Sequence, residues 1–215
     1  MSNQPPPAEA TRKRVLFAAM QLFAAKGYQS TSIADILQAA HAHAGSLYHF
    51  FQGKDQLLLQ VLEFALSYLS PAVMDPVERQ TSDPLERVFT LLNQYRAGML
   101  RHGCRMGCPI GNLALEVSDG NPAARALIHQ NFENWTRRVE GWLIAAGDRL
   151  PVNLDRAQLA HFILTVMEGG LMQARAADSL APFDQSVAVL RHYMDLLQQH
   201  AQASKPKKVR TRRNS

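Results

Sequence analysis

Apolar residues recur at helical spacing along most of this chain. Val15, Ala18, Ala19, Leu22 and Phe23 fall at i, i+3, i+4, i+7 and i+8, the stripe of an amphipathic helix over 10–26. Gly27 follows it as a residue suited to a left-handed helix end. Ser32 is placed to cap a second helix, with Asp35 at capping-box spacing and Ile33, Ile36, Leu37 and Ala40 facing inward. His41 to His43 make a turn, and a short helix over 44–51 turns Leu47 and Phe51 inward before Gly53 breaks it. Leu57, Leu58, Val61, Leu62 and Ala65 mark a fourth helix from Lys54 to about Ser70, which Pro71 and Pro76 are expected to end.

Three cap–proline pairs punctuate the second half. Asp83-Pro84, Cys108-Pro109 and Asn121-Pro122 each place proline at a first helical position, opening helices to about His102, Ser118 and Ala146. Two further helices are expected over 155–177 and 184–203. No run alternates with period two for long enough to make a strand. The pattern predicts an all-α protein of about nine helices. It divides into a proline-rich, disordered start (1–9), a three-helix helix-turn-helix domain (10–53), a helical effector-binding and dimerisation domain (54–203) and a basic, disordered tail (204–215).

Charge adds direction to this picture. The formal net charge is +5, but the tail Lys205–Arg213 alone holds six positive residues and no acid. Residues 1–57 carry five basic and three acidic groups, and residues 58–204 carry twelve basic and fifteen acidic ones. Positive ends around a mildly acidic body fit phosphate attraction at the amino end; a solvated tail is the plainer reading of the other end. No apolar run reaches the ~18 to 20 residues of a membrane helix, and MSNQPPPAEATRKR has no apolar signal core, so no membrane partner and a cytoplasmic location are expected. No cofactor is implied. C-x-x-C, an adjacent catalytic base and a phosphate-binding glycine loop are all missing, so an enzyme is not expected; a thiol enzyme using Cys108 stays as the remote alternative.

Thr31 to Lys54 reads as a DNA-contacting unit. Two helix N-termini, at Ser32 and Lys54, flank the short helix and suit backbone phosphates. The short helix turns Ala44, Ser46 and Tyr48 outward, where base edges would lie, and Tyr48 and His49 have the reach for phosphates or thymine methyls. Tyr48 packed on the first helix and His49 as a solvated side chain are the plainer readings. The residues T-S-I-x-D-I-L-x-A-A, then G-S-L-Y-H-F-F-x-G-K-D-x-L-L, closely resemble the DNA-binding domain of the TetR family of bacterial transcriptional regulators over about residues 11–60. The resemblance implies an all-α dimer bound to double-stranded operator DNA. It implies Thr31, Ser32, His49 and Lys54 on phosphates, and Ala44, Gly45, Ser46 and Tyr48 near bases. Three positions depart from the family pattern: His41 stands at a usual glycine, His43 at a usual serine cap, and Ala44 at a common lysine.

Cys104 and Cys108 are the two cysteines. With Pro109 at N1, Cys108 stands at a helix N-cap, where the positive helix end favours thiolate, and Arg101 and Arg105 are close in sequence. Electrophile or oxidant sensing competes here with an inert buried thiol, a strained local disulfide, and a metal site using His102, Cys104 and Cys108. G-C-x-x-G-N-L-A-x-E-x-S-D-x-N-P, then F-x-x-W and E-G-G-L-x-x-A-R, resembles the C-terminal domain of the NemR-like branch. The resemblance implies a repressor released by reactive electrophiles such as quinones, aldehydes or maleimides, or by chlorine oxidants, with Cys108 as the sensing thiol. Arg175 stands where that branch tends to carry lysine, keeping the charge but not the amine nucleophile.

A palindromic operator calls for a two-fold dimer. The last two helices are the candidates, the first carrying Phe162, Leu164, Val166 and Met167 around Gly169 and Gly170, the second a stripe of Val187, Leu190, Tyr193, Met194 and Leu197. Intramolecular core is the plainer reading. Tyr95, Met99, Phe132, Trp135 and Met172 are the expected pocket lining, with plain core again the alternative.

Overall fold

The apolar stripe of the first helix closes onto the rest of the chain as its spacing predicts. The structure, a computed structural model, describes residues 7–43, 45 and 49–204. Helix α1 (Pro7–Lys26) starts three residues before the expected Ala10 and buries Val15, Leu16, Ala19 and Phe23. It packs on α2 (Ile33–Ala40), whose Ile36 and Ala40 are buried. The helix expected over 44–51 lies partly outside the described residues.

Helix α3 (Lys54–Phe64) continues through a π turn (Ala65–Leu69) into α4 (Ser70–Gln80), so neither Pro71 nor Pro76 ends it. The Ser70 N–H reaches back to the Ala65 carbonyl, five residues away. That wider turn accommodates Pro71, which brings no N–H and crowds the preceding carbonyls. By length and composition this 54–80 rod is apolar enough to cross a membrane, a match that splitting it at Pro71 concealed. Leu57, Leu58, Val61 and Leu62 are buried in the protein core instead, and Glu63 is exposed.

The cap–proline pairs open helices as expected: α5 (Pro84–Arg101), α6 (Pro109–Val117) and α7 (Pro122–Ala145). Asp83 and Asn121 cap theirs through side-chain oxygens, while Cys108 makes no capping hydrogen bond. Helices α8 (Arg156–Ala177) and α9 (Ala181–Ala203) pack side by side. A β-carbon on Gly170 would come within 3.0 Å of Phe183 Cδ2, so that glycine serves contact within the chain, while Gly169 faces open space. With 54–80 taken as one rod there are eight helices and no strand among the described residues. Beneath α1 the rods α3–α4, α5, α7 and α8 surround one buried core.

Candidate DNA interface and effector pocket

The reading head is held by side chains that close the loop between α1 and α2. Gly27 takes φ +87°, the left-handed end expected of it. Ser32 Oγ accepts the Asp35 N–H at 3.1 Å, and the Asp35 carboxylate accepts the Ser32 N–H at 3.1 Å, completing the expected capping box. His41 closes α2 at φ 48°, tolerating the left-handed position where glycine would be freer.

Thr31 corrects the expectation of a phosphate contact. Its side chain is buried, and its hydroxyl donates to the Gly27 carbonyl at 2.7 Å. It therefore ties down the end of α1 and is turned away from solvent. Ser32, Gly45 and His49 are exposed. Lys54 opens α3, but its ammonium lies 4.3 Å from the Tyr28 ring centroid and donates to the Gln29 carbonyl at 3.3 Å. The Tyr28 hydroxyl donates to Asp55. Ala44, Ser46 and Tyr48 lie outside the described residues.

A second set of contacts joins this head to the body. From α6, Glu116 accepts the backbone N–H groups of Tyr28 and Gln29, each at 2.6 Å, and Asn112 donates to the Ala24 carbonyl at 2.9 Å. Arg175 on α8 donates to the Ala25 carbonyl at 3.4 Å. These groups satisfy the free donors and acceptors that the α1 terminus and the following loop leave over. A β-carbon on Gly27 would lie 3.0 Å from Glu116 Oε2, so the glycine also makes room for this contact.

The other end of α6 borders a cavity of about 260 Å³. Phe17, Met20 and Gln21 of α1 form one wall, and the π turn contributes Ala65 and Leu69. Tyr95, Phe132 and Trp135 line it. Met99 does not; it is buried in the core. Met172 is 57 % exposed and borders a separate outer cleft of about 340 Å³, together with Arg175. Cys108, Phe132 and Glu168 face both spaces and form the partition between them. Cys104 is buried in a turn after α5 at φ 58° and borders neither. Both thiols are free.

Cys108 departs from the thiolate expected at a helix N-cap. Burial and the neighbouring Glu168 charge push its thiol well above the ordinary range, against a weaker pull from the Gly111 and Ile110 amides. Burial also raises Glu168, to about 7. Its Oε1 is buried with no hydrogen-bond partner. Trp135 Nε1 is the other such atom, pointing toward the Tyr95 hydroxyl without reaching hydrogen-bond geometry. Glu168 stands in the quoted motif E-G-G-L-x-x-A-R without an expected role, although a carboxylate in the stripe Leu164, Met167, Glu168, Leu171 is a legible signal. Asn112 and Glu116 likewise stand in the motif that begins at Gly107 without an expected role, because their partners are distant in the chain.

A head built on α1 and α2, latched to a helical body that encloses a cavity, is the layout of a DNA-binding regulator. Residues 15–61 match the model of bacterial regulatory proteins of the tetR family. Residues 84–189 match that of the LmrA/YxaF-like transcriptional regulator C-terminal domain. The chain belongs to the TetR family and is a transcriptional regulator, not an enzyme. It is 26 % identical to the HTH-type transcriptional repressor DhaR of Mycobacterium sp. (strain GP1), over 83 % of this chain and 89 % of that one. A regulatory protein TetR from Rhodobacter sphaeroides superposes with TM-score 0.76 at 27 % identity, covering 83 % of this chain and 96 % of that one. Reduced Escherichia coli NemR superposes equally well, TM-score 0.76 at 21 % identity, over 85 % and 95 % of the two chains, a likeness of fold. Regulators of this family bind operator DNA and a small-molecule effector.

Proposed function

We propose that two copies of this chain form a cytoplasmic repressor that holds operator DNA and releases it when a reactive electrophile or oxidant modifies Cys108. In this reading Ser32, His49 and Lys54 grip phosphates, Ala44, Gly45, Ser46 and Tyr48 meet base edges, and α8 with α9 forms the dimer contact. The observation that carries it is the shared cavity. Cys108 lies in the wall facing Phe17, Met20 and Gln21, on the helix that carries the reading head. An adduct on that sulfur takes up space beside α1, and α6 carries the displacement to Glu116 and the α1–α2 loop. The resemblance to NemR, a repressor by its name, supports the repressor part of this reading.

A reversible ligand is the second reading, favoured by the burial that keeps the Cys108 thiol protonated. Fluorescence anisotropy on a labelled fragment of the protein's own promoter separates the two. Wild type treated with N-ethylmaleimide should lose operator affinity by roughly 5- to 150-fold, the usual span of coupling between sites. Cys108→Ser should bind the operator normally and ignore the reagent. Continued release of Cys108→Ser would remove the thiol from the mechanism and leave the reversible ligand. Retention of DNA without sequence preference would remove the operator itself.

A further inference from the structure

Resting on the reading of the pocket as an electrophile site, we infer that Glu168 accepts the Cys108 proton and Trp135 Nε1 receives the carbonyl oxygen of an α,β-unsaturated carbonyl compound. The two unpaired buried side-chain atoms among the described residues, Trp135 Nε1 and Glu168 Oε1, both belong to residues lining this one cavity. Trp135 is only 7 % exposed, so water does not readily serve its N–H. One atom is a donor and the other an acceptor, and the thiol belongs to the same wall. A buried polar atom without a partner is costly, so an occupant with an acceptor oxygen suits Trp135 Nε1, and the thiol proton suits Glu168. A carbonyl conjugated to an electrophilic carbon offers the oxygen that the indole lacks and the carbon that the sulfur attacks.

The carboxylate is held close to the sulfur by the start of α6. A β-carbon on Gly111 would fall 2.1 Å from Glu168 Oε2, so the glycine leaves the room in which the carboxylate lies against this first turn. The addition balances without an outside oxidant or reductant. A bond forms from Sγ to the β-carbon while the π pair of the C=C bond shifts toward the carbonyl. The thiol proton passes to Glu168, Trp135 Nε1–H hydrogen-bonds the enolate oxygen, and Glu168 returns the proton to the α-carbon. The net change is S–H added across C=C. Cys108 and Glu168 also line the outer cleft, so the pair is bordered by both spaces.

The ionisations agree with this division of labour. Burial keeps the thiol protonated, which closes the unassisted thiolate route, while Glu168 at about 7 is partly ionised near neutral pH. The groups around the pair are the Tyr95 hydroxyl from α5, Gln21 from α1, Phe132 and Trp135 from α7, and Arg175 along the outer cleft.

The test follows Cys108 adduct formation by N-ethylmaleimide with intact-mass spectrometry from pH 5.5 to 9, in a Cys104→Ser background. The rate should climb through about pH 7 and level off. Glu168→Gln should be slower at pH 7.5 by about 100-fold, the low end of what a positioned base contributes, and should then rise steadily with pH. Trp135→Phe should slow the maleimide but not methyl methanethiosulfonate, which forms no enolate. A Glu168→Gln rate equal to or above wild type overturns the inference; a faster rate is what simple removal of a negative charge beside the thiol would give. Anisotropy on the same samples keeps the two readings apart. Adducts without DNA release sink the repressor mechanism alone, whereas release with an unaltered Glu168→Gln rate sinks the proton acceptor alone.

Discussion

Glu168 stands in an apolar helical stripe, and the surrounding burial sets its chemistry. Its pKa of about 7 lies above the ordinary value of 4.5, so the folded protein keeps a proton that the unfolded chain gives up. Stability should therefore fall as pH rises from 4.5 to 7, and the penalty should be complete above that range. Glu168→Gln removes the penalty. It is expected to raise the thermal midpoint at pH 8 by several degrees, for roughly 2 to 3 kcal/mol, and to change little at pH 5. Thermal melts of both proteins at the two pH values check this. Cys108 shows the same dominance of burial. Its N-cap position was legible from Pro109, but the expected thiolate was not realised, because desolvation and Glu168 outweigh the helix terminus. Thr31 was legible as part of the motif, while its inward turn depends on the position of the Gly27 carbonyl.

At the level of elements, α6 joins two sites. Its N-cap residue is in the pocket wall and Glu116, near its far end, holds the α1–α2 loop, about 12 Å away along a helix rising 1.5 Å per residue. Glu116→Ala leaves the Tyr28 and Gln29 N–H groups without this acceptor. Partial exposure tempers the loss to about 1 to 2 kcal/mol, or a few degrees in thermal midpoint. The same variant should still form the Cys108 adduct yet show a weaker drop in operator affinity, as measured by mass spectrometry and anisotropy on one sample. The capping signals that open α2, α5, α6 and α7 are local and were readable from neighbouring residues. The prolines of the 54–80 rod were not, because a π turn can carry a helix past Pro71 only where packing favours it.

Across the whole molecule, one apolar surface stays uncovered on α8 and α9. Phe162 and Tyr193 meet edge to face with centroids 6.1 Å apart, both remain more than 40 % exposed, and Val189 beside them is 70 % exposed. Leu190 and Met194 of the expected stripe are buried within the chain, so less of the stripe is open to the proposed second copy. Charge on that surface should oppose dimerisation. The pair Phe162→Glu and Val189→Glu is expected to sediment as a monomer and to lose most operator affinity, since one head grips one half-site. Analytical ultracentrifugation with anisotropy reads both; an intact dimer would move the contact elsewhere.

By itself the sequence determined what nearest neighbours decide: the helical periods, the caps, the left-handed end at Gly27, and the motif of the reading head. Tertiary structure alone decided which side chains meet. It set Glu168 against Gly111 and Cys108, Glu116 on the α1–α2 loop, and Trp135 with an unused N–H. The physical reason is range. Periodicity and capping act within a helical turn or two, whereas desolvation and the convergence of polar groups depend on helices brought together from distant parts of the chain.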